Sequence, residues 1–177
     1  MPHSNTERLM AYWRQRRGDR RLPRRSDIDP TGFARLASSA FLAGLERDGD
    51  LKFRLAGEEV IELHGRPLAG RSLSSLWTPG HRGRVLKLAH LASRAAQPLV
   101  ILAAAAGWDG AEARLEVLIA PLAGPDGAAD RFLGLYQLTS GGHPAPLGPL
   151  VVIGADASAI SGRAPLRLAA VDGLRIA

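Results

Sequence analysis

Asp48-Gly49-Asp50-Leu51-Lys52-Phe53-Arg54-Leu55-Ala56-Gly57-Glu58-Glu59-Val60-Ile61-Glu62-Leu63-His64-Gly65-Arg66-Pro67-Leu68-Ala69-Gly70-Arg71-Ser72-Leu73-Ser74-Ser75-Leu76-Trp77 is the stretch that decides how the rest of the chain is read. Asp48-Gly49 is the dipeptide that a type I′ hairpin favours, because both of its central residues need φ > 0. From Leu51 the residues alternate, with Leu51, Phe53 and Leu55 on one face and Lys52, Arg54 and Ala56 on the other. A period of two marks a half-buried strand. After Gly57 the period changes: Val60, Ile61, Leu63 and His64 fit one side of a short helix that stops at Gly65, a usual helix-ending residue. A turn through Arg66-Pro67 and Ala69-Gly70 then leads to the apolar patch Leu73, Leu76 and Trp77. A strand followed at once by short helices, with more strands to come, predicts a pocket-forming arrangement rather than a bundle.

Upstream, residues 6–17 read as a helix with Leu9, Met10, Trp13 and Arg17 close to one face. The basic run to Arg25 passes Gly18 and Pro23 as a surface connection. Asp29-Pro30 then opens a second helix, with Asp29 placed to accept free backbone N–H groups and Pro30 at the first helical position. That helix carries Phe33 and Leu36 and fades near Ser38-Ser39. Residues 40–46 are apolar and are expected to pair as a strand with Leu51–Ala56.

Downstream, Thr78-Pro79 repeats the capping logic and starts a helix that runs to about Arg94. His81, Val85, Leu88, Ala89 and Ala92 share one stripe of it, while His90 lies nearly opposite. Three apolar runs follow, at 99–106, 113–121 and 131–139, separated by turns that contain Asp109-Gly110 and Asp126-Gly127. Such turns and lengths predict antiparallel hairpins. The whole is an α+β domain of five antiparallel strands, with helices inserted between the second and third. Residues 140–149 are rich in Gly and Pro and read as a linker. Beyond them, 150–153 is apolar, and 166–171 with 174–176 forms at most one weak hairpin. The chain thus divides into an N-terminal helical arm with a basic segment (1–39), a domain (40–139) and a Gly/Pro-rich linker with a C-terminal tail (140–177).

Composition narrows the function classes. The 177 residues are 46% hydrophobic and 23% charged, enough apolar material for one domain with a real core. Cysteine is absent, which excludes disulfides, zinc-thiolate sites, thiol nucleophiles and cysteine-linked photochemistry. No signal pattern opens the chain. Its longest apolar run is far below the ~20 residues of a membrane span, so a cytoplasmic location is expected. Residues 1–25 hold eight arginines against Glu7 and Asp19, which accounts for the entire net charge of +6. The basic character therefore belongs to the arm and not to the fold.

The order of elements, together with particular residues, resembles the PAS domain. More narrowly, it is similar to a family of small single-domain bacterial PAS proteins whose biochemical role is mostly unassigned. The residues that carry the resemblance are Tyr12-Trp13, Arg20 to Pro23, Asp27-Ile28-Asp29-Pro30, Phe53-Arg54-Leu55-Ala56-Gly57, Leu63-His64-Gly65-Arg66, Leu68-Ala69-Gly70-Arg71-Ser72 and Leu76-Trp77. They cover roughly residues 6–139. The resemblance implies a PAS-like five-stranded antiparallel sheet, with helices packed on one face around a cavity, preceded here by the N-terminal helices. It also implies a sensory or protein-interaction role in signalling. Members that hold flavin covalently or carry a cysteine-linked chromophore need a cysteine, so both are excluded. No kinase or cyclase output domain lies within these residues, so a stand-alone module acting through a signalling partner is expected. Relatives often dimerise through flanking helices, so the N-terminal arm is expected to be either a solvated basic face or a dimerising helix whose apolar stripe covers a second subunit in a homodimer.

Four residues are candidates for lining a ligand pocket. His64 ends the apolar side of its helix and offers a polar handle, against the plainer role of a hydrogen-bonded structural histidine. His81 has the helical phase to face the sheet and so to ligate a haem. The competing role is a histidine hydrogen-bonded at a helix start, and haem is not expected. Arg54 offers a bidentate fork for a carboxylate, against a solvated strand face. Trp77 offers an apolar wall, against core packing. The cofactor, if any, is not identified by these residues. No Gly-x-Ser-x-Gly elbow, His-Glu-x-x-His pair, phosphate loop or dinucleotide fingerprint is present, so no enzymatic activity is expected. Clustered arginines displace counterions from phosphate, but no helix-turn-helix pattern accompanies them. The leading reading is a sensory or regulatory module that works by ligand sensing, protein interaction or both. The alternatives are a constitutive scaffold with a side-chain-filled cavity, or nucleic-acid binding through the arm.

Overall fold

Three turns of one design set the sheet. In the computed structural model, which describes residues 1–140 and 146–156, the chain reverses at Glu46–Asp50, Gly107–Ala111 and Gly124–Ala128. In each, the first residue's carbonyl accepts from the glycine N–H three residues on (3.0, 3.0 and 3.1 Å), and its N–H donates to the fifth residue's carbonyl (2.8 Å in all three). The aspartate carboxylate accepts from the N–H two residues on in every case, at 3.0 to 3.1 Å. Only the glycine takes positive φ: +85° at Gly49, +78° at Gly110 and +82° at Gly127. The expected two-residue type I′ turn at Asp48-Gly49 is therefore replaced by a three-residue loop. Asp48 stays at negative φ because its side chain stabilises the ordinary turn by capping Asp50.

These turns join β1 (Ala40–Leu45) to β2 (Leu51–Ala56), β3 (Leu99–Ala106) to β4 (Glu112–Ala123), and β4 to β5 (Ala129–Ser140). Helices α2 (Glu58–His64) and α3 (Pro79–Ala95), with a 3₁₀ turn at Leu73–Leu76, fill the crossover between β2 and β3, as expected. All strand pairs are antiparallel, in the order β2-β1-β5-β4-β3-β6. The sixth strand, β6 (Val151–Asp156), corrects the expected count of five. It comes from what the sequence reads as the start of the tail and pairs with the open edge of β3. Just before it, Leu147 N–H donates to Leu63 and Leu150 N–H to Leu76, while Thr78 N–H donates to Leu150. The run 146–150 is thus held between α2 and β3 by backbone bonds, and it buries Leu147 and Leu150 in the core. A hydrophobic edge strand left bare is a pairing hazard, and β6 removes it.

The sheet is buried on both faces. One face carries Phe41, Phe53, Ile101, Leu115, Val117 and Tyr136 beneath α2 and α3. The other carries Val100, Leu118, Ala120, Leu133 and Leu135 beneath α1 (Ser4–Arg17) and the 3₁₀ segment Pro30–Ser39. Leu9 and Trp13 of α1 are fully buried there, and Trp13 Nε1 donates to the Pro121 carbonyl of β4 at 2.8 Å. Two further ties fix the arm. His3 N–H lies 3.0 Å from both carboxylate oxygens of buried Glu116. The Tyr12 hydroxyl accepts from Asp29 N–H at 2.8 Å. The apolar stripe expected to cover a second subunit therefore covers the chain's own sheet. The face of α1 turned to solvent carries Arg8, Arg14 and Gln15 instead.

Candidate functional site

A line of four rings runs through the core between α2 and the sheet. Phe53 packs on Phe41 (centroids 5.4 Å apart), Phe41 on Tyr136 (5.5 Å), and Tyr136 edge-on against His64 (5.4 Å, 83°). The local sequence explains each placement. Phe53 takes the inward phase of β2, and His64 lies at the last turn of α2 beside Val60 and Leu63. Phe41 pairs with Gly134 across β1 and β5, and its ring occupies the space where a Gly134 side chain would stand. Tyr136 is two residues further along β5, on the same face.

His64 and Tyr136 differ from the other two rings in carrying polar atoms that meet no partner. His64 Nε2 and the Tyr136 hydroxyl are both buried without a hydrogen bond among the described residues. Their residues are 8% and 2% exposed. Burial, helped by the charge of Arg66, pushes the His64 pKa down to about 4, and burial alone pushes the Tyr136 phenol up. At neutral pH the pair is therefore an uncharged imidazole beside an uncharged phenol. Each can donate or accept a hydrogen bond, in a medium where such a bond is strong.

Tyr136 of this pair also lines a cleft of about 260 Å³ between α2, the 30–39 segment and β5; His64 does not. Tyr136, Leu63 and Leu138 give it aromatic and apolar surface, while Arg35, Glu59 and Glu62 bring charge. Glu59 accepts a hydrogen bond from the Ser39 hydroxyl.

The other sequence candidates are placed elsewhere. Arg54 is exposed on β2 and ion-paired with Glu46; the structure does not bring it to the ring line. Trp77 is fully buried at the end of the Leu73–Leu76 turn, its Nε1 without a partner among the described residues. His81, in the first turn of α3, accepts the Val152 N–H on Nδ1 at 2.9 Å and so ties α3 to β6. His90 points away from that seam, as its helical phase requires, and reaches the Gly49 carbonyl at 3.1 Å. Tyr136 and Arg35 were not singled out in the sequence. The available signal for Tyr136 was the alternation Phe132, Gly134, Tyr136, Leu138, which puts a hydroxyl-bearing ring on the core face.

The layer between α3 and the sheet is built from apolar side chains. Val85, Ala92, Leu99, Ile101, Val117, Ile119 and Trp77 are fully buried there. Among the described residues, no group of three His, Asp or Glu side chains is placed to hold a metal ion. No helix there is long and apolar enough to cross a membrane.

A family model for the PAS domain matches residues 1–137. No curated protein matches the chain. Among solved structures, a light-oxygen-voltage domain studied with a flavin analogue aligns at 15% identity and TM-score 0.49, over 62% of this chain and 83% of its own. The Rhodobacter sphaeroides LOV protein aligns at 14% and 0.46, over 64% and 69%. The PAS domain of a Colwellia psychrerythraea protein aligns at 14% and 0.45, over 59% and 92%.

Proposed function

This chain belongs to the PAS domain family, whose members are generally sensory modules in signalling, and we propose that it regulates a signalling protein through the α2–β5 corner of its fold. The observation that carries this reading is the His64–Tyr136 pair. Two polar groups are held unpartnered in an otherwise apolar ring line, beside a cleft that reaches solvent. Whatever bonds there favours one arrangement of α2 against β5, and a partner that contacts α2 senses the shift.

Flavin chemistry of the cysteine-dependent kind does not fit these residues, because there is no thiol. Val85, Ala92 and Trp77 are fully buried on the α3 side, and this packing favours a second reading, in which the α3 side is a fixed scaffold surface and only the α2 corner responds. A dimer, in either reading, uses a surface other than the apolar stripe of α1.

In-cell crosslinking followed by affinity capture tests the proposal. The expected result is a signalling protein joined to the α2 side, with a yield that changes in Tyr136→Phe. Capture of no signalling protein, or equal yields from the two chains, would remove it.

A further inference from the structure

We propose that residues 157–177, which lie outside the described residues, fold back over the outer face of β3 and β6 and cover the apolar groove there. Leu166 and Leu168 are then set against Leu102 and Ile153. This face is on the other side of the sheet from His64 and Tyr136, so its occupancy is independent of the regulatory reading.

The groove follows from where the outer layer stops. α1 and the 30–39 segment pack mainly over β1, β4 and β5, which leaves the β3–β6 side of the sheet bare. Among the described residues, six large apolar side chains are exposed. Three of them, Met1, Leu102 and Ile153, line one cleft of about 370 Å³ on this face. The other three, Leu55, Leu91 and Trp108, are scattered over β2, α3 and the β3–β4 turn. Single exposed apolar residues need no explanation, whereas a cluster marks a contact surface. The register builds the groove's floor from small residues. Ala104 pairs with Val151 and Leu102 with Gly154, and Leu102 leans over Gly154, where an added Cβ would stand 3.3 Å from it. A second backbone can approach such a floor closely.

Position, composition and charge each name the tail as the occupant. It leaves β6 at Asp156, which pairs with Val100 at one end of the groove. It is therefore tethered beside the surface it covers, at an effective concentration on the order of millimolar. Residues 157–165 include Ser161-Gly162 and Pro165, which suit a chain reversal. The six residues 166–171, read from the sequence as half of a weak hairpin, span ~20 Å when extended, which matches six residues of β3. Twelve of the 21 tail residues are apolar, unlike a segment built to stay in water. On the groove, Glu112, Glu116 and Asp156 outnumber Arg114, whereas the tail sets Arg163, Arg167 and Arg175 against Asp172. A second copy placed face to face would oppose carboxylates to carboxylates, and the tail brings the complementary sign.

Paired cysteine substitutions in the full chain, which has no cysteine of its own, test this. Leu102→Cys is combined in turn with Leu166→Cys, Leu168→Cys, Leu174→Cys or Ile176→Cys, and each double variant is treated with a short bismaleimide and read by mass spectrometry. Lys87→Cys, exposed on α3 across the sheet, replaces Leu102→Cys in the reference set. Leu102 and Lys87 are both exposed, so an unchanged melting temperature verifies the fold of each variant. The expected result is at least one tail position that links to position 102 within the same chain at least ~tenfold faster than to position 87, at a rate independent of protein concentration. Equal rates at the two positions would mean a tail that does not dock, and would overturn the proposal. Links from position 102 that form chiefly between chains and grow with concentration would give the face to a second copy, and would overturn it as well.

Discussion

At His64, burial makes the neutral imidazole the stable form in the fold, whereas the unfolded chain titrates at the ordinary value near 6.5. Between about 6.5 and about 4 the unfolded state therefore binds the extra proton and the folded state does not. Stability from this group is fully present above 6.5 and is lost as pH falls toward 4. The loss amounts to at most ~3 kcal/mol. His64→Phe should flatten that part of the pH–stability curve relative to the parent chain, as read from urea midpoints at pH 7, 5.5 and 4.5. Parallel curves would show that the imidazole is not held neutral. A second residue-scale prediction concerns Gly57, whose N–H donates to the Ala40 carbonyl at 2.8 Å. A Cβ there would overlap the Ala37 and Ser38 carbonyl oxygens. These are backbone atoms that cannot swing aside, so Gly57→Ala should cost ~3 kcal/mol or more. A denaturation midpoint within error of the parent would contradict this close approach.

Among the elements, α1 is clamped to β4 by one buried bond, from Trp13 Nε1 to the Pro121 carbonyl. Trp13→Phe keeps most of the ring but leaves that carbonyl unpaired, which should cost ~1–3 kcal/mol. Hydrogen exchange should then quicken first in α1, and equal exchange in α1 and β4 would argue against a local clamp. The positions of the three Asp-Gly turns were legible in the sequence, but the type read at Asp48-Gly49 was not, because the carboxylate that caps the N–H two residues on keeps the aspartate at negative φ and leaves positive φ to the glycine alone. The face of α1 was legible from the spacing of Leu9, Met10 and Trp13. What that face covers was not, because a second subunit and the chain's own sheet demand the same pattern. β6 was hidden for another reason. The apolar run at 150–153 is short and flanked by Pro149 and Gly154, and only the open edge of β3 makes it a strand. At the site, His64 was visible as the last apolar-side residue of a short helix. Its partner Tyr136 was not, since an unpaired hydroxyl is a property of the packed neighbourhood and not of spacing along β5.

The molecule as a whole is a sheet between two apolar layers, and the family match from residue 1 to 137 spans both of them. This makes the N-terminal helix a stability element as well as a carrier of charge. Leu9, Met10, Tyr12 and Trp13 are each at most 7% exposed. At ~1.5–3 kcal/mol per buried side chain, those four contribute on the order of 6–12 kcal/mol before the entropy of ordering the helix is set against them. That is comparable with the entire ~5–15 kcal/mol of a typical domain. Removing residues 1–18 would also bare Val100, Leu118, Leu133 and Leu135 on the outer face of the sheet. The shortened chain should therefore lose its cooperative thermal transition or self-associate through that face, as seen by calorimetry and light scattering. A helix serving only as a detachable basic arm predicts the opposite: an unchanged transition, a monodisperse chain, and lost affinity for polyanions as the sole consequence. The burial of Trp13 and the His3–Glu116 contact at the helix start favour the first outcome, because an arm that leaves the sheet breaks both contacts and exposes the apolar surface it covers.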